Sequence, residues 1–153
     1  MRALELKIPP PLVALSVMVL MWLATELLPQ LQFALPGREI VAPGLGSLGF
    51  VVAALGVLSF RRARTTINPH KPATASAMVV SGVYRFTRNP MYLGIFIALF
   101  GWAVFLSNAA AFLLAPLFIL YMSRFQIIPE ERALAAIFGD EHAAYMAKVR
   151  RWL

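Results

Sequence analysis

The sequence predicts an all-α integral membrane protein with four transmembrane helices, the last two of which form a helical hairpin. Hydrophobic residues make up 60% of the 153 residues, whereas charged residues make up 14%, well below the fraction of about a quarter that is typical of soluble domains. The apolar residues lie in four runs, and a run of about 20 such residues is long enough to cross a bilayer. Basic residues lie at the ends of these runs, where they anchor helices against an anionic membrane surface.

The four predicted spans follow from these apolar runs and from the residues that interrupt them. The first covers about residues 11–28 and ends near Pro29, and the second covers about 41–60 and stops at the basic stretch 61–64. The third covers about 90–106 and the fourth about 109–125, with a short turn at 107–108 between them. The last two are short for a bilayer, so we expect them to use flanking residues or to tilt little.

Two of the spans carry small residues at helical spacing, which allow helix backbones to approach closely in lipid. We expect these stripes to concern packing rather than chemistry, although glycine is also simply common in membrane helices. The stripes are Gly49, Ala53 and Gly56 in the second span, and Gly94, Ala98 and Gly101 in the third.

The distribution of charge predicts the orientation of the chain. Residues 61–89 contain six Lys or Arg and no Asp or Glu, whereas the connection between the first two spans contains Arg38 and Glu39. Because basic segments stay cytoplasmic, we expect both termini and the 61–89 segment on the cytoplasmic side, in the inner membrane of a bacterium. This anchoring accounts for the net charge of +7, so no nucleic-acid partner is expected. We expect residues 1–153 to form a single domain.

The composition also excludes several kinds of chemistry. The chain has no cysteine, which excludes disulfides, thiolate metal sites and cysteine nucleophiles, and no metal site is expected. Glu26 is the one acid within a predicted span, but it lies close to Pro29 and the anchor Trp22 near the interface. We therefore expect Glu26 to have a structural role, although acids inside membrane spans are often functional.

The stretch GVYRFTRNPMYLG, residues 82–94, concentrates polar chemistry between two apolar runs. Taken singly, Arg85 and Arg88 are typical of positive-inside anchoring, and Tyr84 and Tyr92 of an aromatic interface belt. A ligand site is the alternative, because the adjacent acids Glu130 and Glu131 are predicted on the same membrane face. Arginines, tyrosines and glutamates together suit a small zwitterion with both an acid and an amine.

The tail after the fourth span predicts amphipathic cytoplasmic helices. Pro129 suits the first turn of a helix, and the two glutamates that follow it offset the positive helix end. Gly139 is a typical residue at a helix C-terminus, and Asp140 can cap a second helix. On that second helix Tyr145, Val149 and Trp152 are expected to share one face. Such a helix lies in the membrane interface, either as a lid over a site or as an anchor.

Residues 82–94 resemble the G-x-Y-R-x-x-R-[HN]-P-x-Y-x-G signature of the membrane methyltransferases, a family that comprises isoprenylcysteine carboxyl methyltransferases and phospholipid N-methyltransferases. The tail is similar in residues 129–131, 138–141, 145 and 149–152, and residues 68–72 resemble a linker of many small bacterial members. The resemblance covers about residues 48–153. It implies a methyltransferase that binds S-adenosylmethionine at the cytoplasmic membrane face and acts on a lipophilic small molecule or a lipid.

The resemblance also implies roles for individual residues. Arg88 would grip the methionyl carboxylate of the cofactor, Arg85 would contact the substrate or a lipid headgroup, and one of Glu130 and Glu131 would meet the amino group or ribose. Arg85, Arg88 and Glu130 are thus the expected catalytic residues. The residues expected to bind the cofactor are Tyr84, Arg88, Asn89, Pro90, Tyr92, Gly94, Glu130 and Glu131.

One position departs from the prenylcysteine enzymes, which typically have histidine where this chain has Asn89. Asparagine forms hydrogen bonds but does not titrate near neutral pH, so it cannot act as a general base. This weakens the prenylcysteine assignment but leaves cofactor binding in place. His70 and His142 are the two histidines of the chain, and we expect His70 to be a solvated loop residue.

Two other functions are compatible with the sequence. One is a membrane enzyme of the sterol-reductase type, which uses NADPH and needs more basic contacts for the additional phosphates. The other is a non-catalytic membrane protein whose 82–94 motif binds lipid headgroups alone. The oligomeric state and the methyl acceptor do not follow from these patterns.

Overall fold

The computed structural model describes residues 4–63 and 78–153. The predicted linker 68–72, with His70, and the basic residue Arg64 lie outside the described residues. Within them the regular elements are all helical, as the all-α prediction requires. The α-helices are α1 (Pro10–Leu27), α2 (Arg38–Arg62), α3 (Pro90–Leu106), α4 (Ala109–Leu114), α5 (Pro116–Met122) and α6 (Ile128–Lys148). Short 3-10 helices lie at Pro29–Leu31 and Gly82–Arg85, and a π-helix at Ser123–Ile127 joins α5 to α6.

The helices pass four times between two ends of a bundle. At one end, which we call the turn end, Asn108 Nδ2 donates to the carbonyl of Leu28 at 2.9 Å, so the α3–α4 turn meets the end of α1. At the other end, which we call the tail end, the Leu6 N–H donates to the carbonyl of Phe125 at 3.0 Å. The start of α1 and the end of α5 therefore lie together at the tail end. The Glu5 carboxylate accepts from Arg124 and Arg132 at this same end.

Small residues bring α2 and α3 into backbone contact. A Cβ placed on Gly49 would lie 2.9 Å from the backbone N of Ala98 and would also strike the carbonyl of Gly94. Towards the turn end, a Cβ on Gly101 would lie 2.9 Å from the carbonyl of Ala42. The two helices are therefore antiparallel, and the glycine stripes form their interface, which confirms the packing role predicted for them.

The core lies where α1 packs against α3, α4 and α5. Its inner side chains are large and apolar, and the Trp102 Nε1–H donates across it to the carbonyl of Met18 at 3.2 Å. The apolar side chains that are 2% exposed or less include Met21, Leu99, Phe118, Met122 and Ile127.

Among the described residues, three helical stretches are long and apolar enough to cross a membrane: α1, α2 and the continuous stretch 109–148. This indicates an integral membrane protein. Helix α3 is apolar but has 17 residues, a length of about 26 Å, which is slightly less than the roughly 30 Å of a bilayer core. The count of four spans remains a prediction, and the four passes through the bundle are consistent with it.

The tail differs from its prediction in one respect. Gly139 has φ 47° and ψ −120° and interrupts the helical geometry of α6, as expected for a glycine at a helix end. The helix then continues to Lys148, and Val149 is extended with φ −123° and ψ 131°. Val149 and Trp152 therefore follow the helix, and the prediction that they share a helical face with Tyr145 is wrong. The predicted amphipathic, membrane-lying character of the tail remains a prediction.

The α2–α3 contact generates a first test. Gly49→Ala places a methyl group against backbone atoms of α3, which cannot move aside as a flexible side chain would. We expect the free energy of unfolding to fall by about 1–3 kcal/mol, measured as a lower Tm of the purified protein in detergent. Gly44→Ala in the same helix is the control, because its new Cβ has no atom within 4 Å. Equal Tm values for the two variants would contradict the interface.

Candidate functional site

The two motifs singled out in the sequence meet at the tail end of the bundle. The 3-10 helix Gly82–Arg85 and the first turn of α3 lie beside the start of α6 and the last residues of the chain. We call this region the junction; it comprises residues 84–92, 126–131 and 145–152. Its side chains come from segments that are far apart in the sequence, so it forms only when the bundle has folded.

Glu131 is the centre of an ion-pair network in the junction. Its Oε1 accepts from Arg88 Nη2 at 2.7 Å, and its two carboxylate oxygens accept from Arg151 Nε at 3.1 Å and Nη2 at 2.6 Å. The side chains of Arg88 and Glu131 are 13% and 16% exposed, so this pair is largely shielded from water. The hydrogen bonds to Glu131 raise the pKa of Arg151 above its usual value. The sequence predicted Arg88 and Glu131 as site residues, but it did not predict their partner Arg151, which was noted only within the similar tail segment 149–152.

Arg88 also binds the backbone of the tail. Its Nη1 donates to the carbonyls of Met146 at 3.1 Å and Val149 at 3.0 Å, and its N–H donates to the carbonyl of Arg150 at 3.0 Å. Arg88 Nε is buried and has no acceptor in the part of the chain that the structure describes. Arg88 therefore links the start of α3 to α6 and to the residues after it.

The neighbours of Arg88 complete the docking of the tail. Asn89 Nδ2 donates to the carbonyl of Arg151 at 2.9 Å, and the Thr87 hydroxyl donates to the same carbonyl at 3.3 Å. The Trp152 indole N–H donates to Ser123 Oγ at 3.1 Å. Since Asn89 acts here as a hydrogen-bond donor to a carbonyl, its amide has a structural task that needs no titratable group.

Glu130 has partners of a different kind. Its Oε1 accepts from the Tyr92 hydroxyl and from Gln126 Nε2, both at 2.7 Å. Gln126 is 2% exposed and lies on the π-helix that joins α5 to α6. Gln126 was not predicted as a site residue, because a single amide at the edge of an apolar run gives no periodic signal. The one available signal was its spacing of four residues from Glu130, which places two helical residues on the same face.

The other predicted site residues lie around this cluster. Tyr84 is 5% exposed, its ring packs edge-on against Phe60, and its carbonyl accepts from the Tyr145 hydroxyl at 2.7 Å. Burial raises the pKa of the Tyr84 hydroxyl above its usual range. Pro90 is the first residue of α3. Gly94 lies in the α2–α3 interface rather than in the junction, so its role in cofactor binding remains a prediction.

Arg85 is exposed and lines a groove of about 440 Å³ beside the junction. Arg85 and Lys148 supply positive charge to the groove and Glu141 supplies negative charge, so it can complement both an anionic and a cationic group. The side chains of Arg85 and Lys148 form no hydrogen bond or ion pair with the described residues 4–63 and 78–153. The groove is lined by Met78, Val80, Arg85, Glu141, Ala144, Tyr145, Lys148 and Val149.

Comparisons with known proteins agree with the motifs. A family model described as phospholipid methyltransferase matches residues 38–141, more than half of the chain. The chain is similar to an uncharacterized protein of Haemophilus influenzae, with 46% identity over 63 residues that cover 41% of this chain and 100% of that protein. It is also similar to a protein-S-isoprenylcysteine O-methyltransferase of Schizosaccharomyces pombe, with 35% identity over 72 residues. That match covers 47% of this chain and 30% of the yeast enzyme.

The two arginines of the motif provide a matched test of the junction. Arg88→Met removes a shielded ion pair and the two side-chain bonds to tail carbonyls, and breaking such a pair costs about 3 kcal/mol. We expect a lower Tm and faster hydrogen exchange and proteolysis in residues 146–153. Arg85→Met also removes one positive charge, but we expect the tail to stay protected. If both variants protected the tail as the wild type does, Arg88 would not hold it.

Proposed function

Because the chain belongs to the phospholipid methyltransferase family, we propose that it is an integral-membrane methyltransferase that uses S-adenosylmethionine to methylate a lipophilic acceptor. One observation carries the proposal: residues of the two motifs contact each other directly at the junction. Tyr92 binds Glu130 and Arg88 binds Glu131, across 38 and 43 residues of sequence. We treat residues 1–153 as one methyltransferase domain.

The groove and the junction fit the chemistry of this cofactor. S-adenosylmethionine carries a carboxylate, an ammonium group and a sulfonium centre on a nucleoside. The groove volume of about 440 Å³ lies within the roughly 300–1,000 Å³ of small-molecule sites. Arg85 and Lys148 can bind a carboxylate. The aromatic ring of Tyr145 can attract a cationic sulfur, a contact that contributes about 0.5–2 kcal/mol.

We assign the carboxylate contact to Arg85 rather than to Arg88, which differs from the role that the family resemblance implied. Both Nη atoms of Arg88 already donate to acceptors within the protein, whereas the Arg85 side chain faces the groove. Arg88 then acts indirectly, by holding Glu131 and the tail in place. Glu130 adds a carboxylate at the inner side of the junction, where an ammonium group or a ribose hydroxyl is a suitable partner.

When bound, S-adenosylmethionine supplies a methyl group that the sulfonium already activates, so the protein mainly has to position the reactants and exclude water. The docked tail excludes water, because residues 149–152 cover the start of α3 through their hydrogen bonds with Thr87, Arg88 and Asn89. Asn89 cannot accept a proton near neutral pH, so we do not assign it a general-base role.

We propose that the junction faces the cytoplasm and that the acceptor enters from the bilayer. Arg61, Arg62 and Arg85 all lie at the tail end, where helix α2 finishes, and positive residues favour the cytoplasmic side. Phe86, next to Arg85, is 74% exposed. An apolar side chain beside a cationic groove suits a lipid interface, where the tail of an acceptor stays in the membrane and its polar end reaches the junction.

Cofactor binding gives the direct test. We expect purified protein in detergent to bind S-adenosylmethionine saturably in calorimetric titration. Glu130→Gln and Arg85→Met should each weaken binding by on the order of tenfold, because each removes a charged hydrogen-bond partner. Arg38→Met, which removes an exposed positive charge at the turn end, is the control and should bind as the wild type does.

The same titration with NADPH separates the alternatives. Saturable binding of NADPH without binding of S-adenosylmethionine would favour an enzyme of the sterol-reductase type and contradict the proposal. Binding of neither cofactor, with retained affinity for lipid vesicles, would favour a protein that only binds headgroups. With the proposed activity, labelled methyl groups from the cofactor should appear in a lipid-soluble product of a membrane extract, and this labelling should depend on Arg85.

A further inference from the structure

Gln126 is a buried polar side chain that the proposed reaction does not otherwise use. It is 2% exposed and lies on the π-helix Ser123–Ile127, next to the fully apolar Ile127. Its Nε2 donates to Glu130 Oε1 at 2.7 Å, and the same oxygen accepts from the Tyr92 hydroxyl at 2.7 Å. Two short hydrogen bonds from different helices therefore hold one carboxylate oxygen.

The chain departs from regular α-helix at the π-helix and at Pro129. The Ile128 N–H donates to the carbonyl of Ser123, five residues earlier, which is the π-type bond. Pro129 has no N–H to donate to the carbonyl of Phe125, and the N–H of Leu6 donates to that carbonyl instead at 3.0 Å. The N-terminal segment thus stabilises the irregular turn that carries Gln126. Single π-turns inside helices are frequent at functional sites.

We infer that Gln126 is a positioning residue that orients the Glu130 carboxylate for the ligand of the proposed site. The two glutamates are held differently: guanidinium groups bind Glu131, whereas an amide and a hydroxyl bind Glu130 Oε1. The bonds from Gln126 and Tyr92 fix the direction of the Glu130 carboxylate. A carboxylate held in this way is suited to an ammonium group. This inference depends on the proposed function, because the ammonium group is that of S-adenosylmethionine.

The inference is tested with Gln126→Met, which keeps a long side chain but removes the donor. We expect the dissociation constant for S-adenosylmethionine to rise by on the order of tenfold, with little change in Tm. The decisive measurement is a double-mutant cycle with Glu130→Gln. If Gln126 acts through Glu130, Gln126→Met should weaken binding much less when residue 130 is already changed.

Tyr121→Phe is the matched control. It removes a buried hydroxyl from the preceding helix, and that hydroxyl has no hydrogen-bond partner among the residues that the structure describes. We expect this variant to bind the cofactor as the wild type does. The positioning role would be overturned if Gln126→Met bound the cofactor with wild-type affinity. It would also be overturned if Gln126→Met weakened binding equally with Glu130 and with Glu130→Gln. Either result would leave the proposed function in place. Absence of cofactor binding by the wild type would overturn both.

Discussion

The Glu131 carboxylate is the contact on which the junction depends. It lies on α6 and binds Arg88, at the start of α3, and Arg151, near the C-terminus. Two guanidinium groups brought this close would repel each other in a shielded site, where charges interact more strongly than in water. The negative carboxylate between them offsets that repulsion and forms a short ion pair with each guanidinium group. It therefore connects the 82–94 motif to α6 and to the tail.

A membrane environment explains why the site is built from helix ends. Within lipid, the backbone N–H and C=O groups must form their hydrogen bonds within the protein, so a small bundle is built from helices. Soluble methyltransferases use a glycine-rich loop after a strand, and the described part of this chain has no strand that could carry one. At the junction the end of α6, the first turn of α3 and a π-turn meet instead. In each of them the regular helical bonding stops and leaves groups for other contacts.

Much of the fold could be predicted from the sequence. The apolar runs correspond to α1, α2, α3 and the start of the 109–148 stretch, because burial in a bilayer demands long apolar helices whatever the packing. The glycine stripes indicated the contact surface between α2 and α3, since small residues at helical spacing have few other uses. The meeting of Arg88 and Tyr92 with the glutamates also followed from topology, because both motifs were predicted on one membrane face.

The pairing within the site could not be predicted in this way. Glu130 and Glu131 were treated as one acidic pair, yet neighbouring helical residues point about 100° apart, and each binds its own set of partners. The π-helix before α6 further changes the directions in which these side chains point. No periodic pattern in the residues around Gln126 indicates a π-helix at this place. Val149 and Trp152 were placed on a helix because their spacing is helical, but the helix ends at Lys148 and hydrogen bonds join the residues after it to the start of α3.

The way in which the tail is held has a consequence for sequence variation. The groups of the tail that accept hydrogen bonds from Thr87, Arg88 and Asn89 are main-chain carbonyls of residues 146, 149, 150 and 151. Every amino acid offers such a carbonyl, so exchanges of side chains such as Met146 and Arg150 do not remove these acceptors. Substitutions at these positions can therefore change the chemistry of the outer surface while the hydrogen bonds that hold the tail over the junction are kept.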